Sequence, residues 1–320
     1  MPTWLWVILV AQFLLAVAAI IDKYIVTSKK VSKPFVYAFY VTILSFLPLA
    51  LFLLSPFKLR IGQYALPIID NIGRPDFSLL AMAIVSAFAG FYALFSLYSA
   101  LQKADASDVV PVVGAVSAVG TFFLSFLVLG DGLSSNFLIG FLLLVIGTAF
   151  ISHFRFNREV TMLTLNSGLL FSIKATMVKA MFVYSERDFL VSQAFDHAFF
   201  WSRIGILIVL IIILFVPKYY EKITSNTKTT KKTAGFWVIG NSILGGIAAF
   251  MILKAIQIGN VALVEALGGL KFLFLTVFSI LFGRVTVDSL GENNKTTDLW
   301  QKSISVILIV AGFFFLFLKS

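Results

Sequence analysis

The chain has no cysteine. That excludes a disulfide framework, thiol chemistry and a cysteine-ligated metal. Histidine is almost missing as well. His153 and His197 are the two present, each near the end of an apolar run and without an i+3 or i+4 partner in ligand spacing, so no metal centre is expected. Charge is scarce: 12% of residues are Asp, Glu, Lys or Arg, against roughly twice that in ordinary soluble domains. No G-x-x-x-x-G-K-[ST] pattern occurs, so the chain lacks an ATP-binding loop of that type. Clustered acids and a Ser/His constellation are absent too, which argues against an intramembrane enzyme. No cofactor is expected.

What fills the chain instead is apolar. Hydrophobic residues make up 60%, 35 of the 320 residues are Phe, and the mean hydropathy is +1.00. So few charges cannot cover so much apolar surface in water, so a lipid bilayer must be the solvent for most of the chain. The net charge of +10 would fit a nucleic-acid binder, but the basic residues lie mainly in short breaks between apolar runs. Orientation of loops across a membrane explains them better, and no nucleic-acid partner is expected.

A spanning helix needs about 20 mostly apolar residues. Ten windows qualify, near 3–24, 35–55, 78–101, 108–129, 136–153, 161–183, 195–216, 234–257, 260–282 and 302–319. They are too long for barrel strands and lack alternation, so helices are expected. The first window is followed by Asp22, Lys23 and Tyr24 rather than by a cleavage site of small residues, and reads as a retained first span. Trp4, Trp6, Trp201, Trp237 and Trp300 lie near the expected helix starts, as interfacial rings do. Pro34, Pro56 and Pro217 sit at helix edges, and Pro111 reads as a helix-start proline. Residues 56–77 read as an interfacial loop, 217–233 as a solvated basic loop and 283–301 as a flexible loop carrying the sequon-like Asn294-Lys295-Thr296.

One pattern occurs twice. Ala100-Leu101-Gln102-Lys103-Ala104-Asp105-Ala106 is echoed by Ala255-Ile256-Gln257-Ile258-Gly259-Asn260-Val261. In each copy a helix ends at the motif, a short turn follows, and the next helix closes with Leu129-Gly130-Asp131 or Phe282-Gly283-Arg284. Each half then holds five helices. Five is odd, so the second unit enters the membrane from the opposite face. The expected fold is an all-α membrane protein with ten transmembrane helices as two inverted-topology five-helix repeats, residues 1–154 and 155–320. Such folds place a substrate site near the midplane between repeats.

The segment from Tyr98 to Pro111, with Ser125-Phe126-Leu127-Val128-Leu129-Gly130-Asp131, resembles the EamA module of the drug/metabolite transporter superfamily. That module has an alanine-rich turn, a proline and a closing Leu-Gly-Glu, for which this chain has Asp131. The second copy departs from it: Arg284 replaces the acid and Ala266 stands near the expected proline. The resemblance implies two modules along the whole chain. It leaves the substrate open, because the superfamily moves amino acids, drugs, sugars, nucleotide sugars and phosphorylated metabolites. Gly268-Gly269-Leu270-Lys271-Phe272 faintly resembles the lysine-bearing helix of the sugar-phosphate and nucleotide-sugar branches.

A charge within a span costs about 2.5–3.5 kcal/mol on insertion scales and needs a reason. Lys174 and Lys271 fall near mid-bilayer with no acid at i±3 or i±4. They are expected to face a central cavity and attract a carboxylate or phosphate; the rival reading has them deprotonated or paired with an acid on another helix. Lys254 and Glu265 flank the short turn between helices eight and nine at matching depth and are expected to pair, with Glu265 also a candidate substrate or proton site. Ala262, Glu265, Gly268 and Gly269 share a helix face on which small residues permit close packing. Gln12, Asn166, Ser167, Asn241 and Ser242 are expected toward the cavity or helix contacts, while Asp22 and Lys23 read as interface anchors.

The substrate-binding candidates are therefore Lys271, Lys174, Glu265, Lys254, Asn241 and Gln12. The expected function is secondary transport of a small anionic or zwitterionic metabolite by alternating access in a cell membrane, with H+ or another ion as coupling partner. Export of cationic or hydrophobic drugs through Glu265 is an alternative, as is a lipid-scrambling or structural role. Basic residues crowd the loops after helices one, three, five, seven and nine, which by the positive-inside rule puts both termini outside. The family resemblance implies cytoplasmic termini, so the two arguments disagree. No oligomeric state is specified.

Overall fold

The computed structural model describes residues 3–27, 33–58, 60–61, 64–65, 67–104, 106–132, 135–151, 157–229, 232–281 and 296–318. Apart from a two-residue antiparallel pairing of Arg60–Ile61 with Tyr64–Ala65, the described residues form helices and connections. His153, the sequon-like triplet's Asn294 and Lys295, and Phe282-Gly283-Arg284 lie outside the described residues.

The α-helices are α1 (Thr3–Thr27), α2 (Pro34–Leu44), α3 (Phe77–Leu101), α4 (Ala106–Leu129), α5 (Ser135–Phe150), α6 (Arg158–Ser185), α7 (Val191–Phe215), α8 (Pro217–Thr229), α9 (Lys232–Ile258), α10 (Val261–Ala266), α11 (Leu270–Leu281) and α12 (Thr296–Leu318). Seven stretches among the described residues are long and apolar enough to cross a membrane: Trp4–Asp22, Pro34–Phe57, Phe77–Leu101, Asp108–Leu129, Arg158–Ser185, Gln193–Phe215 and Phe236–Ile258. Phe137–Phe150 and Ile304–Phe315 are shorter apolar helices.

Local chemistry explains the helix ends. Pro34 opens α2 in the first turn, where its missing N–H costs nothing. Past Leu44 the span tightens into a 3₁₀ helix, Leu47–Phe57, which has Pro48 in its first turn and carries Pro56 inside it. Asn157 caps α6 by accepting from the Val160 N–H at 2.9 Å. Asp76 caps α3 by accepting from the Leu79 N–H at 2.9 Å, and it also accepts from the Tyr184 hydroxyl. The Tyr184 hydroxyl first, then the Leu79 N–H, hold the Asp76 carboxyl below the usual aspartate range.

The repeated motif is a pair of helix stops. At the first, the Lys103 and Ala104 N–H groups both donate to the Ala100 carbonyl at 2.9 Å. At the second, the Gly259 N–H donates to the Ala255 carbonyl at 2.8 Å, and the Asn260 side chain then caps α10 through the Ala262 and Leu263 N–H groups. Leu129-Gly130-Asp131 is a C-terminal cap. Gly130 adopts φ +70°, its N–H reaches the Phe126 carbonyl and the Asp131 N–H the Ser125 carbonyl, a pattern that favours glycine at the left-handed position.

Three expectations need correction. Residues 217–233 are not a plain loop: Pro217–Thr229 is helical, because Tyr219 and Ile223, one turn apart, turn to the same side and pack on the ends of α2 and α3. The window at 260–282 is not one smooth helix but breaks into a 3₁₀ turn at Leu267–Gly269, between α10 and α11. Trp201 is no helix-start residue, since α7 begins at Val191; its indole N–H donates to the Gly73 carbonyl at 3.1 Å.

Packing crosses between the two halves of the chain. The most extensive pairings include α3 with α6 and α7, α4 with α6, α1 with α9, α1 with α11, α4 with α10, and α5 with α12. Small residues permit the closest crossings: a Cβ on Gly205 of α7 would meet the Ala83 backbone of α3 at 2.6 Å.

Candidate substrate cavity

These crossings leave a cavity of about 420 Å³ between the halves. Its wall takes residues from α1, α2, α3, α4, α6, α7, α9, α10 and α11 and is largely apolar, with Phe91, Phe171, Phe199, Phe250 and Phe272. Against that background stand five acidic or basic side chains: Asp22, Lys174, Arg203, Glu265 and Lys271.

The break in the span formed by α10 and α11 positions two of them. Glu265 is the penultimate residue of α10 and Lys271 the second residue of α11, so both flank the 3₁₀ turn. Gly268 in that turn has no neighbour within 4 Å of a built Cβ and itself lines the cavity, whereas Gly269 packs against Thr148 of α5. The shared small face therefore splits: one glycine serves packing and the other opens the wall.

Glu265 accepts a hydrogen bond from the Ser117 hydroxyl of α4 at 2.9 Å and lies in the field of both Lys174 and Lys271. Lys271 in turn feels Glu265 and Asp22. Lys174 is solvent-accessible within the cavity, and its stem runs past Gly90, where a Cβ would sit 3.1 Å from the lysine Cδ. It feels the positive charge of Arg203 more strongly than the negative charge of Glu265. The three cations rest near ring faces: Lys174 at 5.7 Å from Phe171, Arg203 at 5.0 Å from Phe199 and Lys271 at 5.2 Å from Phe272. Among the described residues neither lysine ammonium has a hydrogen-bond acceptor within reach.

Asp22 closes another part of the wall. It accepts from the Tyr37 hydroxyl and from Asn241 Nδ2 at 2.7 Å, and Tyr37 packs on Tyr98 with ring centroids 4.5 Å apart. Among the described residues, the buried acceptors of cavity-lining residues that lack a partner include Gln12 Oε1, Thr42 Oγ1 and Asn241 Oδ1. A solute with a hydrogen-bond donor would satisfy them.

Five of the six residues selected from sequence thus line one chamber: Lys271, Lys174, Glu265, Asn241 and Gln12. Lys254 does not. The expected Lys254–Glu265 pair does not form, because α9 turns Lys254 toward α7. Its ammonium sits 3.2 Å from the Phe195 ring centroid and in the field of Asp196, which itself holds the Ile68 N–H and Asn71 Nδ2 of the 67–73 segment. Asn166 and Ser167 are helix contacts, bonding Ser96 and the Ala93 carbonyl of α3 at 2.9 Å each.

Asp22 and Arg203 were not selected from sequence. From the sequence Asp22 reads as an interface anchor, yet α1 continues five residues beyond it. Arg203 falls at the middle of the 25-residue α7 and is 8% exposed. The lengths of those helices were the missing signal. Lys179 was missed for another reason: it is structural. Its ammonium donates to the carbonyls of Ile256, Gln257 and Gly259 at 2.8–3.0 Å, capping the end of α9 from α6. Replacing Lys179 by methionine orphans these carbonyls and should destabilise the protein by roughly 1.5–3 kcal/mol, seen as a lower thermal midpoint in detergent.

Comparison with known proteins decides the class. Residues 3–153 match the EamA-like transporter family. That stretch, just under half of the chain, is similar to an EamA-like module. The protein is therefore an integral, multi-pass membrane protein, similar over that stretch to transporters of the drug/metabolite type. The structure also resembles solved structures, among them a crystal structure with TM-score 0.58 and 19% identity that covers 96% of both chains, a likeness of fold alone. No curated protein matches the chain.

Proposed function

We propose that the protein is a ten-span secondary transporter, built from inverted five-helix units at 1–154 and 155–320, that carries a small anionic or zwitterionic metabolite by alternating access. The ten spans are the seven long stretches, the two shorter apolar helices, and α10 with α11 read as one broken span. The packing supports a two-fold relation between the units, and five spans in each, an odd number, make that relation an inverted one. Exchanging α1–α5 with α6, α7, α9, α10–α11 and α12 in order turns the α1–α9 contact into α6–α3, α4–α6 into α11–α1, and α3–α7 into α9–α2, all of which occur. It leaves α5–α12 mapped onto itself, as an axis between the halves requires.

The observation that carries the function is the placement of Lys174, Arg203 and Lys271 on the wall of one cavity between the halves. Three cations against two acids, with two lysine ammonium groups lacking acceptors, suit a solute bearing a carboxylate or phosphate. A discontinuous span beside a cavity is a recurrent feature of secondary transporters. Gln12, Asn241 and Thr42 would orient the polar remainder of the solute, and the phenylalanines its apolar part. Glu265, hydrogen-bonded to Ser117 and beside both lysines, is the proposed proton carrier. Drug export through Glu265 draws on the apolar wall, but it leaves the three cations without a role.

A thermal-shift screen of the purified full-length protein against carboxylates, phosphates, zwitterions and organic cations tests the reading. Anionic or zwitterionic compounds should raise the midpoint of the wild type and not that of Lys174→Met/Lys271→Met. Stabilisation by cations alone, retained in that variant, would instead support the drug-export reading.

A further inference from the structure

Asp22 is a carboxylate on the cavity wall for which the bundle supplies no countercharge. Among the described residues no lysine or arginine forms an ion pair with it. A carboxylate set among membrane-crossing helices needs a partner. Its two hydrogen bonds, from the Tyr37 hydroxyl and from Asn241 Nδ2, both end on Oδ1. Among the described residues Oδ2 accepts none. The group is nonetheless firmly held. Tyr37 is 1% exposed and rests on Tyr98, so α1, α2 and α9 together fix the carboxylate, with α3 behind them.

Asn241 adds a second acceptor. Its amide nitrogen is turned to Asp22, so its carbonyl oxygen faces another way. That oxygen is buried and has no partner among the described residues, in a residue 6% exposed that lines the cavity. Buried polar atoms are normally paired, so this one awaits a donor. The cavity wall is thus divided. Oxygen atoms without donors lie on α1 and α9, while Lys174, Arg203 and Lys271 lie on α6, α7 and α11. Both parts enclose the same volume of about 420 Å³.

We propose that Asp22 and the Asn241 carbonyl oxygen are the seat of an ammonium group, so that the solute is a zwitterion with its carboxylate on Lys174 and Lys271 and its ammonium on Asp22. A primary ammonium donates three hydrogen bonds and accepts none, which matches two open acceptors, one of them charged. A solute with an anionic group alone leaves both oxygens unmet and brings a second negative charge toward Asp22. The proposal rests on the reading of the cavity as a solute site, and narrows its solutes from anions and zwitterions to zwitterions.

The test compares binding to purified full-length protein for amino acids of each side-chain class, each paired with the carboxylate that lacks only the amine: valine with isovalerate, glutamate with glutarate, phenylalanine with hydrocinnamate. Thermal shift over a concentration series gives an apparent Kd for each compound. In at least one pair the wild type should bind the amine-bearing member about 10- to 100-fold more tightly, the worth of one hydrogen bond to a charged group. Asp22→Asn, whose amide oxygen can still accept from Tyr37 and Asn241, should abolish that preference by weakening the amine-bearing member. Asn241→Ala, which leaves the Tyr37 bond to Asp22 in place, should reduce it in part. Equal binding of both members by the wild type would overturn the ammonium seat and leave the anion reading standing. Equal weakening of both members by Asp22→Asn would mark Asp22 as structural and overturn the seat as well. Stabilisation of the wild type by sodium chloride over choline chloride, lost in Asp22→Asn, would give the seat to an inorganic cation and overturn it too. Binding of neither member of any pair would overturn the seat together with the reading on which it rests.

Discussion

Lys271→Met lowers the uptake of the anionic or zwitterionic substrate by roughly 10- to 100-fold in kcat/KM, the worth of one hydrogen bond to a charged group. The variant keeps the length and apolar stem of the side chain, and removes only the ammonium beside Glu265 and Asp22. A folding defect is distinguishable because Lys271 makes no hydrogen bond among the described residues; its loss should leave the thermal midpoint of the substrate-free protein unchanged or higher, since a desolvated cation is removed. Lys271→Arg should recover part of the uptake. Proteoliposome uptake with a labelled solute found in the thermal screen is the measurement. Undiminished uptake of every anionic solute by Lys271→Met would remove the anion-binding role.

Glu265→Gln separates movement of the solute from its coupling. Glutamine can still accept from the Ser117 hydroxyl but carries no proton at any pH. An imposed proton gradient should therefore drive accumulation in the wild type and not in the variant, while exchange of internal for external solute persists. The expected loss is the whole of the gradient-driven component. If Glu265→Gln accumulates solute in response to the gradient as the wild type does, the proton is carried elsewhere, with Asp22 the remaining acid on the cavity wall.

Much of this architecture is visible in the sequence because hydropathy acts over whole helices. A run such as Phe77–Leu101 has one stable solution in lipid, and the windows place it without knowledge of its neighbours. The two helix stops are legible for a related reason. A turn as short as Gly259–Asn260 needs its cap in the local chain, and Asn260 supplies it. Leu129-Gly130-Asp131 is likewise a local cap written in consecutive residues.

What depends on rotation about a helix axis was less legible. Lys254 and Glu265 share a depth, but depth does not say which way a side chain points, and Lys254 points to α7. Arg203 was overlooked because α7 begins at Val191, four residues before its expected start, which moves the arginine from near the helix start toward the helix centre. Gly268 and Gly269 read alike in sequence, and only the 3₁₀ turn gives one to the cavity and one to Thr148. α8 was hidden by its lysines, which lower the average hydropathy of a helix whose fixed contacts are two residues, Tyr219 and Ile223.

The absence of cysteine makes the central test direct. A single Ser242→Cys substitution puts a thiol on the cavity wall with no background thiol in the chain. In sealed proteoliposomes of uniform orientation, a membrane-impermeant thiol reagent is added from one side or from the other, with and without substrate. A carrier with two inverted units around this chamber predicts labelling from either side, slowed by bound substrate in both cases. Labelling from one side alone under every condition, or from neither, would contradict it.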